Sequence, residues 1–246
     1  MSDDRLIEIS SDKIGSLWTD KVITGLKAGA SFVPFVGGAI AEAIGAIPGQ
    51  RLDRVESFVK ALEARLQRVE QASEDACWDD AEFLDVVEEG AVQAARATRK
   101  RRIDQIATVV ASSLTSTQVS HIQAKHLLKI LGDINDIELL ILRSYYQPAL
   151  STDHEFRRRH GSVITPPSKS NPMDEERANA VALDDSYRAH LARLGLLKPK
   201  YKVNPKTKTP VYDSEGRPEL NGYRITSLGD LLLRVAEVDL PDEEMI

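Results

Sequence analysis

Apolar residues recur at helical spacing along most of the chain. Between residues 52 and 69 they alternate spacings of three and four, which is typical of a helix with one apolar seam: Leu52, Val55, Val59, Leu62, Leu66 and Val69. The seam is shorter than three heptads, so it favours packing inside a helical bundle over a long dimeric coiled coil. Residues 79–116 predict a third and a fourth helical stretch, or one helix with a weak point at Gly90. The acidic start and basic later half match the helix dipole if a break falls near residue 100.

Residues 121–147 predict two more helices. The second begins at a capping-box pattern, with Asn135 as the cap and Glu138 three residues later. A polar stretch follows from residue 148 to residue 172, with four prolines and the cluster FRRRH. We expect this stretch to be an inserted polar loop that is partly disordered or carries function.

The last third changes from helix to hairpin and back to helix. Residues 174–197 are helical, either as one helix or as two helices that meet near Asp184 and Asp185. Residues 198–226 then alternate β-prone residues with turn residues, which predicts a β-hairpin with a long polar tip. Residues 227–238, SLGDLLLRVAEV, return to a helical pattern.

This order of elements resembles the winged-helix fold over about residues 118–240. In that family a helix ending in a Leu-Gly-Leu-type turn leads into a two-stranded wing, and the second strand ends in a Thr-x-x-Gly step into a closing helix. The matching residues are Leu194, Gly195, Leu196, Leu197, Ile225, Thr226 and Gly229. The resemblance implies a winged-helix-like fold. It leaves function open, because winged helices bind either DNA or protein.

The sequence therefore predicts a mainly α protein of two parts. Residues 1–115 would form a helical bundle that contains a glycine-rich apolar hairpin. Residues 116–246 would form a winged-helix-like α+β module with a β-hairpin wing and the inserted loop at 148–172.

An apolar segment at residues 28–49 has small residues every four positions, which would form one smooth strip on a helix. Its uncharged part, Ala28 to Ala41, is shorter than the roughly 20 residues that a membrane-spanning helix needs. We favour a buried hairpin of a soluble protein and keep open a segment that contacts a membrane or a partner conditionally. The candidate contact residues are Phe32, Phe35, Gly37, Ala41 and Gly45. This part also resembles the start of uncharacterised bacterial proteins, some of them linked to phage defence.

Charge adds a candidate binding surface. The chain has a formal net charge of −6, which argues against a protein that coats nucleic acid globally. Between residues 186 and 208, however, there is no acidic residue and there are seven cations: Arg188, Arg193, Lys198, Lys200, Lys202, Lys206 and Lys208. If about five of them contact phosphates, the logarithm of the binding constant should fall with the logarithm of salt concentration with a slope of about −4 to −5.

Two other interpretations of basic residues stay open. Lysines on an exposed hairpin also protect strand edges from pairing with other chains. The run from Arg99 to Arg102 either contacts phosphate or is a solvated helix face. Tyr201 is the one aromatic residue in the lysine-rich stretch from Lys198 to Lys208, so a platform that stacks single-stranded bases is not indicated there.

The sequence offers no catalytic motif. It has no Gly-x-Ser-x-Gly, no phosphate loop ending in Gly-Lys-Ser/Thr and no His-Glu-x-x-His. His121 and His126 are five residues apart, which on a helix separates them too far to bind one metal ion together. We therefore expect no enzyme activity, no cofactor and no metal. Cys77 is the single cysteine, and together with the acidic N-terminus it favours a reducing, cytoplasmic setting.

These observations support three functional hypotheses. The first is a non-enzymatic binding protein whose C-terminal module contacts nucleic acid, with double-stranded DNA as the first candidate, and whose bundle mediates homo-oligomerisation or partner docking. The second is a bacterial anti-phage effector or adaptor that acts through residues 28–49 at a membrane or on a partner protein. The third is a scaffold whose winged helix binds only protein.

Overall fold

The computed structural model describes residues 51–70, 81–115, 119–146, 154–167 and 174–238. This part of the chain contains eight helices and one two-stranded hairpin, so the prediction of a mainly α protein with an α+β C-terminal part is confirmed. The chain divides into two compact units between Asp133 and Ile134. The boundary lies later than the predicted position after residue 115.

The first unit contains four described helices that form a bundle. They are α1 (Leu52–Glu70), α2 (Ala81–Arg96), α3 (Lys100–Thr115) and α4 (His121–Asp133). Helix α1 packs against α2 and α3, and α4 packs against the same two helices. The packing of α4 explains why the unit extends to residue 133.

Four residues of the apolar seam of α1 are buried in this bundle, as the sequence predicted. Val55, Val59, Leu62 and Leu66 are all buried, together with Phe58. No break occurs at the predicted weak point, Gly90, which lies inside α2. A methyl group there would lie 2.9 Å from the Phe58 ring and 2.7 Å from a Val110 methyl carbon, so the glycine allows close helix packing. The break falls at residues 97–99, close to the predicted position.

The second unit contains four described helices and the hairpin. Its elements are α5 (Asp136–Ser144), α6 (His154–Ile164), α7 (Glu175–Arg193), β1 (Leu197–Tyr201), β2 (Leu220–Ile225) and α8 (Ser227–Val235). Helix α6 corrects the prediction of a polar loop over residues 148–172, and it packs against α5. Helix α7 is continuous through Asp184 and Asp185, which answers the question of one helix or two.

Helix α5 begins with the predicted capping box. The side chain of Asn135 accepts a hydrogen bond from the backbone N–H of Glu138, and Glu138 Oε2 accepts one from the backbone N–H of Asn135. The other carboxylate oxygen of Glu138 is 2.6 Å from His190 Nδ1 in α7. Glu138 therefore both completes the capping box and links α5 to α7.

The hairpin consists of a short antiparallel ladder and a folded tip. In the ladder Leu197 pairs with Ile225 and Lys198 with Arg224, and an irregularity follows Pro199. The tip, residues 202–219, folds back on itself. The backbone N–H of Lys202 donates a hydrogen bond to the Glu219 carbonyl, and the Lys202 carbonyl accepts one from the N–H of Val211. This arrangement confirms the predicted hairpin with a long polar tip.

The residues that carry the winged-helix resemblance join α7, the hairpin and α8. Gly195 has a φ of +74°, a conformation that glycine adopts without strain, and it ends α7. The backbone N–H of Thr226 donates to the Leu196 carbonyl, and the hydroxyl of Thr226 donates to the Gly195 carbonyl at 2.6 Å. The same hydroxyl accepts the N–H of Gly229, so Thr226 also caps α8.

Gly229 is the tightest point of this junction. A methyl group at residue 229 would lie 2.5 Å from the Leu196 carbonyl oxygen and 2.9 Å from Ile225 Cγ1. We expect Gly229→Ala to lower the free energy of unfolding by about 1–2 kcal/mol, because overpacking against backbone outweighs the gain in helix propensity.

Gly161→Ala is the matched control, since no atom lies within 4 Å of a methyl group at that helical position. It should be neutral or raise stability by up to about 1 kcal/mol. Urea unfolding followed by circular dichroism measures both variants, and equal stability of the two would contradict this account of the junction.

Candidate nucleic-acid interface

The hairpin displays a group of cations that have no ion-pair partner among the described residues. Lys198 and Lys200 are exposed on β1, and Arg224 on β2 lies directly across the ladder from Lys198. Side chains that face each other across an antiparallel pair point to the same face, so Lys198 and Arg224 place two like charges side by side. This repulsion weakens the hairpin by itself and is relieved when an anion lies over that face.

Two further lysines lie at the tip. Lys206 and Lys208 are exposed, and the turn that carries them is closed by Asn204, whose side-chain oxygen accepts the backbone N–H of Lys206 and of Thr207. Lys208 has a φ of 58°, in the left-handed region. The tip therefore has a defined conformation that holds both ammonium groups in solvent.

Lys202 differs from its neighbours. Its ammonium group forms an ion pair with Glu219 across the hairpin. Of the predicted cations on the hairpin, it is the one whose charge is already compensated. Arg193 is exposed at the end of α7 and, like Lys198 and Lys200, has no ion-pair partner among the described residues. We define the hairpin cation set as Arg193, Lys198, Lys200, Lys206, Lys208 and Arg224.

Arg188 was predicted to contact nucleic acid, and the structure contradicts this. Arg188 is only 5% exposed, and its guanidinium donates two hydrogen bonds, of 2.8 and 2.9 Å, to Asp184. It also donates to the Tyr145 hydroxyl and, at 3.2 Å, to the Ile164 carbonyl. The guanidinium is therefore buried within the second unit, and its hydrogen bonds connect α7 with the ends of α5 and α6.

The electrostatic balance of this cluster follows from its contacts. Burial opposes the charge on Arg188, but the hydrogen bond and charge of Asp184, together with Tyr145, outweigh it and raise the pKa of Arg188. Burial also raises the pKa of Tyr145, although the Arg188 guanidinium acts in the opposite direction. The tyrosine is therefore a neutral hydroxyl over the whole physiological range.

A groove of about 490 Å³ lies between the hairpin and the end of α5. Three tyrosines line it, Tyr145, Tyr146 and Tyr223, and so do Lys200 and Arg224 from the hairpin cation set. The ring centroids of Tyr145 and Tyr223 are 6.5 Å apart in an edge-to-face arrangement. The sequence prediction missed these rings because they come from segments about 80 residues apart. The one local sign of an aromatic site was the adjacent pair Tyr145 and Tyr146 at the end of α5.

The basic run in the first unit is not a uniform solvated face. Arg102 is buried and donates to the Leu131 carbonyl at 3.2 Å, which fastens α3 to α4. Arg99, Lys100 and Arg101 are exposed.

The other predicted contact residues, Phe32, Phe35, Gly37, Ala41 and Gly45, lie outside the described residues. Within the described ranges, no helix is both long enough and apolar enough to cross a bilayer. In the same ranges no group of three or more potential metal ligands occurs.

No protein-family model, curated protein or solved structure matches the chain.

We expect Asp184→Ala to lower the free energy of unfolding by about 3–5 kcal/mol, because it leaves the Arg188 guanidinium buried without a counter-charge. Arg193→Gln on the same helix should change it by less than about 0.5 kcal/mol, since Arg193 is exposed. The pair Asp184→Leu with Arg188→Met should cost less than Asp184→Ala alone. Chemical denaturation measures all three variants, and a mild Asp184→Ala phenotype would contradict the structural role of the pair.

Alkaline pH should destabilise the second unit. Burial, together with the nearby charge of Asp185, raises the pKa of Tyr223. The unfolded chain then releases this proton first, so the stability is complete below the ordinary tyrosine pKa of about 10 and is lost as pH rises through the folded-state value. The loss of unfolding free energy above about pH 10 should be smaller in Tyr223→Phe than in wild type. Tyr212→Phe, at an exposed position, serves as the control in denaturation at neutral and alkaline pH.

Proposed function

We propose that the second unit is a winged-helix-like module that binds nucleic acid through phosphate contacts made by the hairpin cation set. The observation that carries the proposal is the set itself. Six exposed cations lie on and beside one hairpin, and no carboxylate pairs with them among the described residues. In a chain of net charge −6, this is a local positive surface that suits a polyanion.

The order of elements in the second unit supports the same proposal. A helix ending at Gly195, a two-stranded hairpin and a closing helix capped by Thr226 follow one another as in winged helices. Arg193 at the end of α7 and the lysines of β1 lie within eight residues of one another along the chain. The end of the helix and the hairpin are therefore positioned to contact one phosphate backbone together.

The contacts with phosphates carry no base sequence information by themselves. The proposal is accordingly one of affinity for the backbone of double-stranded DNA, with the first unit serving self-association or partner docking.

The double variant Lys198→Gln with Lys200→Gln tests this proposal. Fluorescence anisotropy with a short labelled duplex, over a series of salt concentrations, should give a salt slope that is shallower than wild type by about 1.8. The variant Arg51→Gln with Lys129→Gln removes the same charge from exposed positions of the first unit and should leave the slope unchanged.

Equal slopes for wild type and the hairpin variant would overturn the proposal. So would binding that does not depend on salt. Lys202→Gln offers an internal comparison, because its ammonium group pairs with Glu219 and should contribute less than Lys198 or Lys200.

A specific observation favours a second candidate function, protein binding by the hairpin. Four large apolar side chains of the hairpin are exposed by 44–57%: Tyr201, Val203, Tyr212 and Leu220. Such side chains on an exposed hairpin suit a protein contact, of which self-association is the simplest case. Sedimentation over a concentration series would then show that Tyr212→Ser with Leu220→Ser shifts an oligomer towards monomer, and protein purified at low salt would carry no nucleic acid.

A further inference from the structure

We propose that the groove lined by Tyr145, Tyr146, Tyr223, Lys200 and Arg224 binds a nucleotide, with the base against the tyrosine rings and the phosphate at the two cations. The nucleotide is either free or the unpaired terminal residue of a nucleic acid. This inference rests on the proposed function in one respect, because Lys200 and Arg224 belong to both surfaces.

The size and composition of the groove fit this ligand class. Its volume of about 490 Å³ lies within the range of small-molecule sites. Aromatic rings beside exposed cations are the combination that proteins use for unpaired nucleotides, because every base has a π face and every nucleotide a phosphate. A purely aliphatic ligand would leave the two cations of the groove without an anionic partner.

The tyrosine rings are held in place before any ligand binds. The Tyr145 hydroxyl accepts a hydrogen bond from Arg188, and the guanidinium of Arg188 lies 5.4 Å from the centre of the Tyr145 ring. The guanidinium of Arg143 lies 5.7 Å from the centre of the Tyr146 ring and 4.6 Å from that of Phe156. Rings that are already positioned lose little conformational freedom when a base stacks on them.

One carboxylate also lines the groove. Asp230 lies in the first turn of α8, and its Oδ2 accepts a hydrogen bond of 3.0 Å from Arg234 Nε in the same helix. The charge of Asp230 is therefore compensated by its own ion pair. Lys200 and Arg224 have no ion-pair partner among the described residues, so the groove keeps an excess of positive charge.

Three probes test the inference on the full chain. The first is a closed DNA dumbbell without ends. The second is the same duplex with a single-stranded overhang that ends in a fluorescent adenine analogue, whose emission falls on stacking. The third is the 5′-monophosphate of that analogue alone. We expect the overhang probe to bind about 5- to 150-fold more tightly than the dumbbell, as one stacked base allows.

The variants locate the stacked base. Tyr146→Leu and Tyr223→Leu should each reduce the advantage of the overhang and the loss of emission. Tyr223→Phe should retain both, since it keeps the ring. Tyr201→Leu removes an exposed tyrosine of the same hairpin outside the groove and should change neither. Unchanged dumbbell binding and an unchanged melting profile show that a variant is folded.

The outcomes separate the two proposals. Dumbbell binding without an overhang advantage and without a response to the free nucleotide overturns the inference and leaves the proposed function standing. Stacking of either nucleotide probe without dumbbell binding overturns the proposed function and leaves the inference standing. A response to the free nucleotide identifies a soluble ligand, and a response to the overhang alone identifies a nucleic-acid end. Emission changes that are the same in all four variants also overturn the inference.

Discussion

The buried ion pair between Asp184 and Arg188 is the interaction on which the second unit depends. A guanidinium in a protein interior is tolerated only when its charge and its N–H groups are satisfied. Here the carboxylate one turn earlier supplies two hydrogen bonds, while Tyr145 and the Ile164 carbonyl supply the others. One side chain thereby connects three helices, and the base of the hairpin follows directly from the end of one of them.

The cations of this unit fall into two groups with different physical roles. Arg188 and Lys202 are neutralised by the protein's own carboxylates, and they contribute to its packing or its hairpin. The hairpin cation set remains in solvent, where Lys198 and Arg224 lie opposite each other. A fold that depended on these charges for stability would pair them, whereas the like charges of Lys198 and Arg224 repel each other.

The junction at Gly195 and Thr226 determines where these charges lie. Gly195, whose φ lies in the left-handed region, ends α7. The hydroxyl of Thr226 joins the start of the hairpin to the N-terminus of α8, which it caps. The strand β2 leads straight into this cap, and the ring of its Tyr223 lies 6.5 Å from that of Tyr145 at the end of α5. The groove is thus a consequence of how three chain segments meet.

Much of the architecture follows from local sequence. The apolar seam of α1, the capping box at Asn135 and the helix–hairpin–helix order are local patterns, and the structure confirms each of them. Helix α6 was missed because its segment is polar overall and lies between prolines, and Ile164 is its one buried residue. The division at residue 133 depends on which helices α4 contacts, and the local sequence pattern does not contain this information.

The sequence alone also indicated a basic hairpin, but it could not show which of the predicted cations are exposed and which are buried or paired. Charge is a property of composition, whereas the availability of a charge depends on neighbours that are distant in sequence. Asp184, which pairs with Arg188, is only four residues away, but the pair is buried beside Tyr145 and Ile164, which are 43 and 24 positions from Arg188. Lys202 is paired with a residue 17 positions away. The tyrosine groove likewise depends on distant residues, because Tyr145 and Tyr223 are about 80 positions apart in sequence. Only tertiary packing decides which distant side chains share a site and which local pairs are buried, because both depend on contacts between segments far apart in sequence.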